Sequence, residues 1–364
     1  MAEKNGKAKY FNLMEALKKD IANGIIRPGD KIPSENVLSQ QFGVSRHTVR
    51  KALSILEEEG LIAAQHGRGT FCIKRTRTGG SRNIAVITTY INDYIFPRLI
   101  QGIDEVMTEQ GYSIILKNTY NSRKNEEKAL EDIMTKDVEG LIIEPSKSEI
   151  FCRHIHQYEE LDLKDIPYVF IQGTYPQLSN KPFIMMDDVQ GGYLITKYLL
   201  ELGHKNIAGI FKIDDMQGNN RYKGYVKALD EFGISYNPER VVLYHTEDRR
   251  TKPCLMVKHF IETGISMDAI VCYNDQVALE VIQALSEKGL KVPEDISVTG
   301  YDNSLIAENG PVPLTTISHP KEQLGRMAAQ LLLEKMNGVP EEKSAVPRII
   351  VPELIVRDSC RKRN

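Results

Sequence analysis

Two hydrophobic rhythms divide this chain. Up to about residue 73 the apolar positions recur at helical spacing. Leu13, Leu17 and Ile21 share one face at i, i+4 and i+8, which predicts an amphipathic helix over 10–23, closed by Gly24. Val37, Leu38 and Phe42 predict a short helix over 35–42, with Ser34 as N-cap and Gly43 as its left-handed stop. Ser45 then caps a second helix, whose inward face carries Val49, Ala52, Leu53 and Leu56. Two short strands flank the tip Gln65-His66-Gly67-Arg68-Gly69, where the glycines permit a tight turn.

From Asn83 onward the apolar residues come in short unbroken runs separated by helical stretches. Strands are predicted at 84–88, 114–117, 140–144 and 169–172, with helices at 96–110 and 125–136. The rhythm then restarts, with strands at 207–211, 241–244, 269–273 and 296–301, and helices at 221–232, 252–262, 276–288 and 320–336. Unbroken apolar strands alternating with helices predict parallel sheets covered on both faces. The expected fold class is α/β: an N-terminal winged helix–turn–helix plus a two-subdomain doubly wound parallel-sheet domain. Ligands in such sheets sit beyond the carboxyl ends of the strands, here in a cleft between the halves. The expected divisions are a head over 1–73, a linker over 74–82 (KRTRTGGSR) and a body over 83–364.

Chemistry sharpens the picture of the head. Two short helices joined through Gly43 and Val44 are a helix–turn–helix, in which the first turns of the second helix enter the major groove. Arg46, His47, Thr48 and Arg50 lie on those turns, and arginine can pair bidentately with guanine. A hairpin following such a helix forms a wing, and its tip carries His66 and Arg68. The residues expected to meet DNA are Lys9, Glu35, Ser45, Arg46, His47, Thr48, Arg50, Gln65, His66, Gly67, Arg68 and Thr70. The run PGDKIPSENVLSQQFGVSRHTVRKALSILEEEGLI, followed by GRGTF, resembles the winged-helix domain of GntR-family bacterial repressors. That resemblance covers roughly residues 8–75 and implies double-stranded operator DNA as a partner.

Charge agrees with it. Net charge over 364 residues is only −2, yet residues 1–82 hold 15 Lys and Arg against 8 Asp and Glu, while the rest holds 32 against 41. A basic head on an acidic body suits a head that meets phosphate. The five cysteines are scattered, with no C-x-x-C spacing, so neither zinc nor a disulfide framework is expected. No apolar run approaches the length of a membrane span and the N-terminus has no signal core, so the expected location is the cytoplasm, without membrane contact.

In the body, LGHKNIAGI, NNRYKGYVKAL, IVCYNDQVALEVIQAL, GLKVPEDISVTGYDNS and PLTTISHPKEQLGRMAAQLL resemble, in order and spacing, the effector domain of LacI/GalR repressors, whose fold is periplasmic-binding-protein-like. A GntR-type head on such a body is similar to the arabinose repressors of Gram-positive bacteria. The resemblance implies a homodimer and a small neutral sugar as effector, with L-arabinose favoured. Arg221, Asn274 and Asp302 match effector-contacting positions of the LacI family. Arg221 would fork across two hydroxyls, Asn274 would donate and accept, and Asp302 would accept. Tyr94 and Phe96 are candidates to stack on the sugar ring, and Glu144 either reaches the cleft or caps a helix. His319, Tyr273 and Gln276 complete the candidates. The linker departs from the LacI pattern, lacking its Asn-Pro-Ala-Arg hinge helix, so base contacts from a hinge are not expected.

No G-x-S-x-G, P-loop, H-E-x-x-H or post-strand G-x-G-x-x-G occurs, and no cofactor or catalytic residue is expected. The rival class is a cytosolic sugar-transforming enzyme with a fused regulatory head, which would need an acid–base pair or a phosphate loop in the cleft.

Overall fold

The computed structural model describes residues 2–22, 25–27, 29–58, 60–65, 68–72, 80–92, 95–340, 343, 344, 346 and 348–363. The expected helix stop at Gly24, the wing-tip residues His66 and Gly67, the aromatic Tyr94 and most of the linker (74–79) lie outside them. The chain divides into two compact units, Met1–Ser81 with Ile155–Ile166, and Arg82–His154 with Pro167–Asn364.

The head contains α1 (Ala2–Ala22), α2 (Glu35–Phe42), α3 (Arg46–Glu58), β1 (Ile62–Gln65) and β2 (Gly69–Cys72). Helix α1 starts eight residues before the Tyr10 predicted from periodicity. Ser34 Oγ accepts from the Val37 N–H, and Gly43 takes φ 61°, so α2 starts and stops where its caps dictate. Ser45 Oγ likewise accepts from the Thr48 N–H at 3.2 Å. Leu13, Leu17, Leu38, Val49, Ala52 and Leu56 interlock with Ile32 and Ile62 in one core. Truncating one of its leucines to alanine costs about 2–5 kcal/mol. Strands β1 and β2 pair antiparallel, Ile62 opposite Cys72 and Gln65 opposite Gly69.

Apart from α6 (Ile155–Leu163), which belongs to the first unit, the elements that follow build the two lobes of the second. In chain order come β3 (Asn83–Thr88), α4 (Phe96–Glu109), β4 (Ser113–Asn118), α5 (Arg123–Met134), β5 (Gly140–Ile143), α6 (Ile155–Leu163), β6 (Tyr168–Ile171), β7 (Phe183–Met186), α7 (Asp188–Glu201), β8 (Ile207–Lys212), α8 (Met216–Glu231), β9 (Val241–Tyr244), α9 (Lys252–Thr263), β10 (Ala269–Cys272), α10 (Asp275–Glu287), β11 (Ser297–Thr299), α11 (Leu305–Asn309), β12 (Thr316–Ile317), α12 (Lys321–Met336), β13 (Ile349–Ile350) and β14 (Leu354–Ile355). The first lobe is built on the parallel sheet β13-β7-β6-β5-β3-β4, the second on the parallel sheet β11-β10-β8-β9. Strands β12 and β14 form a small antiparallel pair of their own.

The chain does not fill the lobes in simple succession. Helix α12, expected with the second half, packs on the first sheet: Leu324, Ala328, Leu331 and Leu332 are buried against Ile84, Val86 and Ile142. Conversely α7, which follows the first sheet in sequence, packs in the second lobe through Ile195 and Leu199 against Ile207 and Phe211. The expected strand over 296–301 shortens to Ser297–Thr299, because Asp302 and Asn303 turn into positive φ. Helices α7 and α8 cross closely because Gly192 and Gly224 face each other's helix. A Cβ on Gly192 would overlap the Arg221 carbonyl, and one on Gly224 the Val189 carbonyl. That approach sets where Arg221 stands.

Candidate functional site

On the head, Arg46, His47 and Arg50 are exposed along the first turns of α3. Ser45 and Thr48 are hydrogen-bonded to each other at the start of that helix, at 2.9 Å. Glu35 of α2 holds Arg50: both carboxylate oxygens accept from Nε at 2.9 Å, which leaves the terminal guanidinium nitrogens for another partner. Lys9, Gln65 and Arg68 are exposed, and Thr70 is half-buried on β2. Lys31, which sequence reasoning passed over, lies along Gly69 and sets its ammonium 5.9 Å from the centre of the Phe71 ring.

In the body, a cavity of about 70 Å³ lies beyond the carboxyl ends of the two sheets. Its wall includes Phe96, Glu144, Arg221, Asn274 and Asp302 of the expected set, and Tyr273. Arg221 on α8 is 2% exposed. Its Nε donates to Asp188 Oδ1 and its Nη1 to the Tyr273 carbonyl, each at 2.8 Å. Its Nη2 lies 3.7 Å from Asp302 Oδ1, and the guanidinium stacks 3.6 Å from the centre of the Tyr301 ring. A guanidinium fixed on three sides presents its remaining donors at one angle, as bidentate recognition of vicinal hydroxyls requires. Asn274 caps α10, its Oδ1 accepting from the Val277 N–H at 3.0 Å.

Glu144 caps no helix. It follows β5, and its Oε2 accepts from the Thr89 backbone N–H at 2.8 Å and from the Thr89 hydroxyl at 2.6 Å. Burial lifts its carboxyl to about 7, against the pull of Thr89 and Lys212. Asp188 rises to about 6 for the same reason, with Arg221 opposing. Burial works against the Arg221 charge as well, but Asp188 and Asp302 outweigh it and hold the guanidinium cationic.

His319 is not on the cavity wall. It stands behind it, 3% exposed, with Nε2 at 3.0 Å from Gln172 Oε1. Burial lowers its pKa to about 4, so it is a neutral support for Gln172. Gln172 also accepts from Gln217 Nε2 at 2.9 Å, joining the lobes across the cleft. The Met216 N–H to Ser148 Oγ and Asn121 Nδ2 to Thr246 Oγ1 bonds do the same, at 2.9 and 2.6 Å. Cavity residues that escaped sequence reasoning include Gln172, Gln217 and Arg249, and also Lys212 and Asp215, which are paired at 2.8 Å. The signal was present, since Lys212 closes an otherwise apolar strand, IAGIFK, at its carboxyl end.

Residues 9–72 match the bacterial regulatory proteins of the gntR family, and residues 196–360 match the periplasmic binding protein-like domain. Fold and cleft thus define a two-part transcription regulator: a GntR winged-helix head with a LacI-like sugar-binding domain. Over 361 residues the chain is 41% identical to the arabinose metabolism transcriptional repressor of Halalkalibacterium halodurans, covering 96% of each. Its counterpart in Geobacillus stearothermophilus is 38% identical over 358 residues, 97% of this chain and 98% of that one. Among solved structures, a LacI family transcriptional regulator from Enterococcus faecium with bound ribose matches 78% of this chain and 100% of its own, with TM-score 0.66 and 26% identity. The transcription regulator CcpA of Lactococcus lactis matches 77% of this chain and 99% of its own, with TM-score 0.67 and 27% identity. The chain belongs to the family of arabinose metabolism transcriptional repressors.

Proposed function

We propose that this chain represses transcription by holding operator DNA through its winged helix, and lets go when L-arabinose fills the cleft of its body. The observation that carries the sugar reading is the balance of charge around the cavity. Its wall sets Asp215, Asp302 and the partly ionised Glu144 against Lys212, Arg221 and Arg249, with Asp188 and Asp214 beside Arg221 and Lys212. Paired opposite charges fix hydroxyls on an uncharged ring, whereas a phosphorylated sugar calls for a surplus of cations or a Gly-rich helix N-terminus. The relatives named for arabinose metabolism point to the same pentose.

The divisions adopted are a head over 1–73, a tether over 74–82 and a sensing body over 83–364. Arg46, His47, Arg50 and Arg68, with Lys9, Glu35, Ser45, Thr48, Gln65, His66, Gly67 and Thr70, meet the DNA. Arg221, Asn274, Asp302 and Glu144 hold the sugar, with Tyr94 stacking on it and His319 behind Gln172. The protein works in the cytoplasm as a homodimer, matching two heads to two half-sites. It is a sensor with no catalytic step. Sugar shifts the equilibrium by its differential affinity for the released state. Calorimetry with a panel of pentoses, hexoses and pentose phosphates tests the reading. Heat with L-arabinose and none with the phosphates is expected, and the reverse pattern overturns it.

A further inference from the structure

The cavity residue Asp302 has an unusual backbone. Its φ is 99°, and Asn303 beside it has φ 46°, so two adjacent residues with side chains occupy the left-handed region. Such conformations persist only where the surroundings over-determine them, and they gather at functional sites. Here the Asp302 N–H donates to the Ile317 carbonyl at 2.9 Å. The Asn303 N–H donates to Thr316 Oγ1 at 3.3 Å, and Asn303 Oδ1 accepts from Arg357 Nη2 at 2.7 Å.

One further group grips the same two residues from elsewhere. Lys321 Nζ donates to the Asp302 carbonyl and, at 3.0 Å, to the Asn303 carbonyl. Lys321 is the first residue of α12, which packs on the first sheet, while Asp302 follows β11 of the second. A helix N-terminus is an unfavourable place for a cation, because the free N–H groups already give it positive character. Lys321 is also 8% exposed, and burial lowers its pKa, with Asp302 and Asp275 opposing. Neither helix formation nor solubility accounts for a lysine there; its two carbonyl partners do.

We propose that Lys321 is a positioning residue for sugar recognition: it holds the Asp302 carboxylate at the cavity wall and makes that placement depend on helix α12 of the other lobe. The proposal rests on the reading that Asp302 accepts from the sugar. Any movement of α12 relative to β11 then changes the site, and a sugar that needs Asp302 in place favours the lobe arrangement in which Lys321 reaches both carbonyls.

A double-mutant cycle on the full chain tests it, with L-arabinose titrated calorimetrically and thermal unfolding recorded without sugar. Lys321→Met is expected to raise Kd about tenfold in the parent but less than about threefold on Asp302→Asn, because residues acting through one another are non-additive. The same fold-loss in both backgrounds, or an unchanged Kd in the parent, overturns the positioning role. Lys321→Gln keeps an amide donor and is expected to fall between the two; a weaker sugar complex than Lys321→Met overturns it as well. Asp302→Asn alone reports on the cleft reading: a Kd equal to the parent's sinks that reading, whatever Lys321 does.

Discussion

Exchanging Asp302 for asparagine removes one charge and changes no shape. Asparagine tolerates the left-handed φ of 99° as well as aspartate does, so the backbone strain is unaltered. Arg221 keeps its 2.8 Å bond to Asp188, so no buried cation is orphaned. Asp275, lifted to about 7 by burial and then by the Asp302 charge, should titrate lower in the variant. The fold and operator binding are therefore expected to survive. The sugar, however, exchanges a charged acceptor for a neutral amide. Hydrogen bonds to charged groups contribute about 1.5–3 kcal/mol and neutral ones about 0.5–1.5, so the exchange costs about 1–1.5 kcal/mol, a Kd raised about five- to tenfold. Calorimetry gives that Kd, and a mobility-shift titration with added sugar gives the matching rise in the concentration needed for release. A Kd within about twofold of the parent, with an intact melting curve, would refute the assignment of Asp302 to the sugar.

Other expectations follow from the same geometry. Arg46→Ala and Arg50→Ala should each weaken operator binding by about 1–3 kcal/mol and binding to random DNA much less; equal losses on both would reduce them to phosphate contacts. Arg68→Ala should flatten the dependence of log K on log salt by about one unit if the wing neutralises one phosphate, and an unchanged slope places the wing off the DNA. Glu144 titrates near 7 in the folded protein, above its unfolded value. The stability this contributes is full below the unfolded pKa and lost as pH rises through about 7. Melting midpoints should therefore fall over that window, and Glu144→Gln should shrink the fall; an identical pH profile in the variant contradicts the raised carboxyl. Gly192→Ala should lower the melting midpoint and weaken sugar binding together, because a Cβ there overlaps the Arg221 carbonyl; an unchanged midpoint refutes that packing.

The head was legible in the sequence almost residue by residue, because its signals are local: Ser34, Gly43 and Ser45 act on the turn they sit in. That Arg221, Asn274 and Asp302 reach the cavity wall was legible because each stands at a strand end or on the helix after one and matches a LacI-family position. What escaped depends on distant pairings. Helix α12 reads as part of the second half, yet its apolar face fits the first sheet, a choice made by residues as distant in the chain as Ile84 and Ile142. Strands β12, β13 and β14 are two residues each, too short for any period to show. His319 was a further candidate for the cleft, but its ring stands behind Gln172. Lys212 was passed over because it closes an otherwise apolar strand, at the end that faces the cavity rather than the core.

The most direct test joins the two ends of the chain in one titration. A fluorescent operator, selected from random DNA on the purified full-length protein, is bound to saturation and then titrated with L-arabinose, with D-ribose and L-arabinose 5-phosphate in parallel. Anisotropy is expected to fall to the free-DNA value with L-arabinose at concentrations near its calorimetric Kd, and the phosphate to leave the complex intact. DNA that stays bound at saturating L-arabinose, or that is released by the phosphate instead, would contradict the proposed function.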